Sequence, residues 1–114
     1  MKERTKAFAI KTGKLLQSLE YSFVNKAYTN QLIRCSSSVG ANYRAAQRAK
    51  SAADFINKLK IVEEEFDESI YFFELLIEFN SVKEIEIKSL IQDSDELLRI
   101  IVASIKTSKI NASK

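Results

Sequence analysis

The chain of 114 residues has no histidine, no proline and no tryptophan, only two glycines and a single cysteine. Each shortage closes something off. Without histidine the commonest general base near neutral pH is missing, and so are the Glu-x-x-His pairs of a ferritin-like di-metal site. Without proline, and with glycine so scarce, little can punctuate hairpins or long loops. Cys35 stands alone and cannot form an internal disulfide. No apolar run reaches the ~18 residues of a membrane-spanning helix. Met1 to Leu19 is charged throughout and lacks the apolar centre of a secretory signal. A cytoplasmic protein with no membrane partner is expected.

What is present points to helices. Hydrophobic residues make up 46% of the chain, too many for disorder, and the length suits one domain over 1–114. Apolar residues recur every three or four positions. A first helix is predicted over about 2–19, with Phe8, Thr12, Leu15, Leu19 and then Phe23 on one face. A second is predicted over about 26–49, capped by Asn25, with Leu32, Cys35, Val39, Tyr43 and Ala46 as its buried stripe. Gly40 lies in mid-helix with no turn signal beside it, which suits close approach of a neighbouring helix. Ser51 and Asp54 form a capping box for a third helix over about 52–79. Its stripe is Phe55, Leu59, Val62, Phe66, Ser69, Phe73 and Leu76, and Ile70, Tyr71, Phe72, Leu75, Ile77 and Phe79 widen it. A helix apolar on more than one face must bury more than one face, so self-association is expected. Ser81 and Glu84 make a second capping box for a fourth helix over about 82–108, with Ile87, Leu90, Leu97, Ile101 and Ile105 inward and a frayed tail from Lys109. Short joints between such helices give an all-α, antiparallel up-down-up-down four-helix bundle.

Charge is unevenly divided. Residues 1–60 hold 12 Lys/Arg against 3 Asp/Glu, and residues 61–114 hold 6 against 12. The plainer reading is that oppositely charged helices neutralise one another. The functional reading is a basic face that attracts phosphates. Its candidate contacts are Lys6, Lys11 and Lys14 on the first helix, with Arg44, Arg48 and Lys50 at the end of the second. Arg34 and Arg48 fall near one helical face, and Arg44 and Arg48 are one turn apart. Tyr43 beside Arg44 is the best candidate for stacking on an unpaired base, although a packed tyrosine is the commoner outcome.

The segment from Gln31 to Ser51 is the most distinctive, a run of small residues with a basic edge. Gln31-Leu32-x-Arg34, then Ser38-Val39-x-x-Asn42, Arg48-x-x-Ser51-x-x-x-Phe55-x-x-x-Leu59 and Glu68 together resemble a four-helix-bundle family encoded by intervening sequences inside bacterial 23S rRNA genes. The accessory variability protein of diversity-generating retroelements is similar too. The branch with Val39-Gly40-Ala41-Asn42-Tyr43-Arg44-Ala45-Ala46 and Ile61-Val62-Glu63-Glu64-Glu65 looks closest. The resemblance covers nearly the whole chain and implies a left-handed bundle assembled as a homopentamer. It implies little about activity. The retroelement relatives bind a reverse transcriptase and nucleic acid through a basic surface. Other branches carry Ile-Ala-Glu-Gly where this chain has Tyr43-Arg44-Ala45-Ala46. Loss of that glycine removes a helix-ending signal, so the second helix is expected to run on.

No catalytic residue, metal ligand or cofactor is assigned. Arg34 and Asn42 read as structural polar groups that satisfy carboxylates such as Glu68 or carbonyls across an interface. In the acidic run Glu63 to Glu68, Glu64, Glu65 and Glu68 can converge as they do in all-α nucleotide pyrophosphohydrolases that hold Mg²⁺. The matching motif on the next helix is inverted here as Asp93-Ser-Asp95-Glu96. Ser36, Ser37 and Ser38 have no base, and Cys35 falls on the buried stripe. The leading expectation is a non-enzymatic homo-oligomeric accessory or scaffold protein. Its partner would be RNA, DNA or a nucleic-acid-processing protein. A Mg²⁺-dependent hydrolase and a purely structural oligomer are the alternatives.

Overall fold

All four predicted helices form: α1 Lys2–Gln17, α2 Phe23–Ala46, α3 Ala52–Phe79 and α4 Glu84–Ala112, with a single 3-10 turn, Ser81–Lys83, before the last. The computed structural model describes residues 1–114. Helices α1 and α3 each pack against both α2 and α4. The short joints make consecutive helices antiparallel, giving a rod of 51 × 21 × 19 Å.

The helix starts differ from the sequence expectation in two places. Ser22, not Asn25, caps α2: it is extended, and its hydroxyl accepts from the Asn25 backbone N–H at 3.0 Å. Asn25 is instead buried, and its amide exchanges hydrogen bonds of 2.9 and 2.8 Å with that of Asn80, just past α3. The remaining amide hydrogens go to the carbonyls of Glu20 and Leu76. The Ser81/Glu84 box does not form. The Lys83 N–H bonds the Asn80 carbonyl at 2.9 Å, winding these residues into the tighter 3-10 turn and leaving α4 without a side-chain cap. Ser51 does cap α3, accepting from the Asp54 N–H at 3.1 Å, while the Asp54 carboxylate reaches back to the Lys50 N–H.

The ends differ as well. α1 stops at Gln17, short of Leu19. α2 ends at Ala46 without a glycine, because the N–H groups of Arg48 and Ala49 turn back three residues to the Ala45 and Ala46 carbonyls. α4 carries on to Ala112, since nothing in its last turns breaks a helix.

The core follows the predicted stripes closely. Phe8 of α1 reaches across the bundle to Phe66 and Phe73 of α3, with ring centroids 5.4 and 6.3 Å apart. Leu32, Cys35 and Val39 close it from α2, and Ile87, Leu97 and Ile101 from α4. Ile56 takes the buried place predicted for Phe55, and Tyr43 is only half-buried. Phe23, last in the series predicted for the first helix, is exposed, because the chain restarts as α2 at that residue. On α3, Ile70, Phe72, Leu75 and Ile77 are half-covered within one chain, so of the six widening residues only Tyr71 and Phe79 stand out, with Ile61 further back along the helix.

Gly40 faces Thr5 of α1. A Cβ there would lie 3.5 Å from the Thr5 hydroxyl and 3.7 Å from its Cβ, ordinary contact distances. The seam therefore needs a small residue but not glycine itself. Gly40→Ala should raise stability by up to ~1 kcal/mol through helix propensity. Gly40→Leu, which must push α1 off α2, should lower it by about 1–3 kcal/mol. Urea unfolding of the two variants, with opposite shifts in midpoint, checks this.

Candidate nucleic-acid interface

Helix α1 has 16 residues, whereas α3 has 28 and α4 has 29, so its start falls partway along the rod, beside Gly40. The step leaves a trough between α1 and the lower part of α2. It has a volume of ≈ 510 Å³ and is lined by Lys2, Glu3, Thr5, Lys6 and Ala9 on one side and Ser37, Gly40, Ala41 and Arg44 on the other. A second trough of ≈ 540 Å³ adjoins it, sharing Ala41 and Arg44 and adding Ala45, Arg48, Lys50, Asp54 and Lys58. The small residues of the Gln31 to Ser51 segment are thus its floor. Arg44 stands on the ridge between the two troughs.

Several other cations of the bundle are engaged in ion pairs. Arg4 pairs with Glu96 at 3.1 Å, Lys11 with Asp93 at 4.0 Å, Lys88 with Glu84 and Arg99 with Asp95. In the troughs only Lys58 is paired, with Asp54 at 3.3 Å. Lys2, Lys6, Arg44, Arg48 and Lys50 have no carboxylate within ion-pair distance. Asp54 is the one carboxylate in the second trough. The Lys50 backbone N–H, and then the Lys58 ammonium, hold its carboxyl below the usual range.

The structure therefore divides the six predicted contacts. Lys6, Arg44, Arg48 and Lys50 come together. Lys11 and Lys14 instead line a groove between α1 and α4 that also holds Glu86 and Asp93. Lys2 and Lys58 were missed. Lys2 belongs by its i, i+4 spacing to Lys6, and Lys58 joins only through the fold of the α2–α3 joint. Tyr43 packs half-buried against the core and takes no part in either trough.

Arg34 lines neither trough, so it and Arg48 do not share a site. Its guanidinium lies 2.6 Å from Glu68 and 3.2 Å from Glu65, across the α2–α3 seam. The bond to Glu68 raises the arginine further above its ordinary value. Burial pushes the Glu65 carboxyl up, and the charge of Arg34 offsets this only in part. Asn42 donates to the Ser38 carbonyl and hydroxyl, a local bond one turn back. Cys35 is fully buried, burial pushes its thiol up, and Ser69 donates to its sulfur at 3.1 Å. Such a thiol stays protonated and inert. Glu64 is exposed and apart from the Arg34 pair, and no three carboxylate or thiol groups are gathered to hold a metal ion. No helix is long and apolar enough to cross a membrane.

The sequence model of the family described as 23S rRNA-intervening sequence protein matches residues 1–103. Among solved structures the chain is similar to a protein with unknown function from the S23 ribosomal protein family of Bacteroides thetaiotaomicron. The two are 33% identical, superpose with a TM-score of 0.81, and are covered over 92% of this chain and 97% of that one. No curated protein matches the chain.

Because the Asp54 carboxyl is held low, its contribution to stability is complete above about pH 4, the ordinary aspartate value, and is lost as pH falls through the depressed one. Asp54→Asn should therefore lower the melting temperature at pH 7. The gap to the wild-type chain should close as the pH drops below 4, as followed by circular dichroism.

Proposed function

The chain belongs to the 23S rRNA-intervening sequence protein family, and on that premise we propose that it is a non-enzymatic, homo-oligomeric accessory protein of the cytoplasm that binds nucleic acid through its cationic troughs. One observation carries the reading. Lys2, Lys6, Arg44, Arg48 and Lys50 line joined troughs and lack carboxylate partners, while the α1–α4 and α2–α3 seams carry ion pairs. Such a concentration of free charge over a low floor draws in phosphates and releases their counterions. A nucleic-acid-processing protein would reach the same place by way of the nucleic acid it holds.

The assembly is proposed on separate grounds. Tyr21, Phe23, Val82 and Ile85 are 83–91% exposed, and all sit where the α1–α2 and α3–α4 joints meet, with Phe79 beside them. Large apolar side chains gathered at one end of a small protein mark a contact surface. A second copy would cover that end and leave the cationic troughs, toward the other end, open. The family resemblance implies five copies.

Two measurements test these readings. In filter binding, the wild-type chain should retain RNA or DNA at low salt. The double variant Arg44→Ala, Arg48→Ala should bind more weakly to every sequence, with the slope of log K against log salt shallower by about 2. An unchanged slope would remove these two arginines from the contact. In sedimentation velocity, the wild-type chain should run as an oligomer. Phe23→Lys with Val82→Lys should run as a monomer of unchanged helix content. A wild-type monomer at all concentrations would remove the assembly.

A further inference from the structure

From the lining of the two troughs we infer that their ligand is double-helical nucleic acid, held by its phosphates and not by its bases. This rests on the nucleic-acid reading above and specifies the form bound.

The first observation is what the lining lacks. Neither trough contains an aromatic side chain, and between the charged residues the lining is Thr5, Ala9, Ser37, Gly40, Ala41 and Ala45. Surfaces that capture single strands combine a cationic track with rings on which unpaired bases stack. Here the strongly exposed rings, Tyr21 and Phe23, are at the far end of the rod, and Tyr71 and Phe79 lie toward that end of α3. Tyr43 is taken up by the core. A single strand laid in the troughs would find charge but nothing for its bases. A duplex needs nothing for its bases, because they already stack on each other.

The second observation is where the charges stand. Lys2 and Lys6 form the bank on α1, Arg44 is the ridge on α2, and Lys50 and Lys58 form the bank on the α2–α3 joint and α3. Neighbouring helix axes lie about 8–10 Å apart, so the outer banks are separated by up to about two such spacings, within a rod 21 × 19 Å in section. One phosphate row can follow only one bank. The two rows that flank a groove of a double helix, about 12 Å across for the major groove of DNA, can meet both, given the reach of the lysine side chains. Carboxylates that could accept from base edges are absent apart from Glu3, at the rim, and Asp54, which is tied to the Lys50 N–H and Lys58. With no asparagine or glutamine in the lining either, what faces the duplex is cations spaced to meet its phosphates, which position it without specifying sequence.

The experiment is fluorescence anisotropy with labelled 20-mers of two unrelated sequences, each as DNA duplex, RNA duplex and the separate strands, over a salt series. The expected result is that at least one duplex type binds about tenfold or more tightly than its own strands, equally for both sequences. The affinity should fall by about 500-fold between 50 and 200 mM salt for each chain engaged, a slope near −4.5 from five phosphate contacts. Lys2→Ala with Lys50→Ala, one change on each outer bank, should erase the preference for duplex while leaving strand binding largely in place. Equal or tighter binding of the strands, or a tenfold difference between the two sequences, overturns the inference and leaves the nucleic-acid reading standing. No binding to any probe at low salt overturns both.

Discussion

The first cationic trough depends on the docking of α1, and that docking depends on Phe8. α1 is short, six of its 16 residues are charged, and two of its buried side chains are threonines, one of which, Thr12, has no hydrogen-bond partner for its hydroxyl. What holds it is Phe8 inserted against Phe66 and Phe73, supported by Leu15 and Leu16. A fully buried phenylalanine contributes roughly 1.5–3 kcal/mol. That is a large part of what so polar a helix can gain by packing. With α1 in place, Lys2 and Lys6 stand opposite Arg44. Without it there would be no first trough and no near bank, and only the trough between Arg44 and Lys58 would remain.

Electrostatics then sorts the surface. The positive half of the sequence lies in α1 and α2 and the negative half in α3 and α4, so each seam between halves offers complementary charge. Arg4 with Glu96, Lys11 with Asp93, and Arg34 with Glu65 and Glu68 use it. These pairs are largely exposed and add little stability individually. Their effect is to match basic to acidic residues along the α1–α4 and α2–α3 seams. The charge left over is concentrated at the edge where α1 has ended and the acidic run of α3 does not reach.

Much of the architecture was legible because it rests on periodicity. Each helix was found, the α3 boundaries agreed, and the inward residues of α4 were read correctly, since burial on one face leaves a 3–4 repeat whatever the neighbours are. Boundaries set by local hydrogen bonds were not legible. Ser22 and Asn25 are equally good caps on paper, and only the buried partner Asn80, far away in sequence, draws Asn25 away from that role. Charged side chains carry no periodic signature at all. Lys11 and Lys6 look alike in the sequence, and what separates them is that Asp93 lies across from one and not the other. Ile70, Phe72, Leu75 and Ile77 read as surplus apolar surface, yet the neighbouring helices cover them in part. The most exposed apolar residues proved to be in the joints, where pattern analysis has the least to work with.

The paired amides of Asn25 and Asn80 link the joint between α1 and α2 to the end of α3. Each amide is matched with the other and with one nearby carbonyl, so all of their donors are satisfied in a single alignment of the two halves. Apolar ridges would tolerate a slip of one helical turn, exchanging leucine for isoleucine at little loss. The amides would not, because sliding strands buried donors and acceptors away from both water and each other. The pair acts as a vernier stop. It makes the longitudinal offset of the rods a discrete quantity, and with it the length of rod that α1 leaves uncovered.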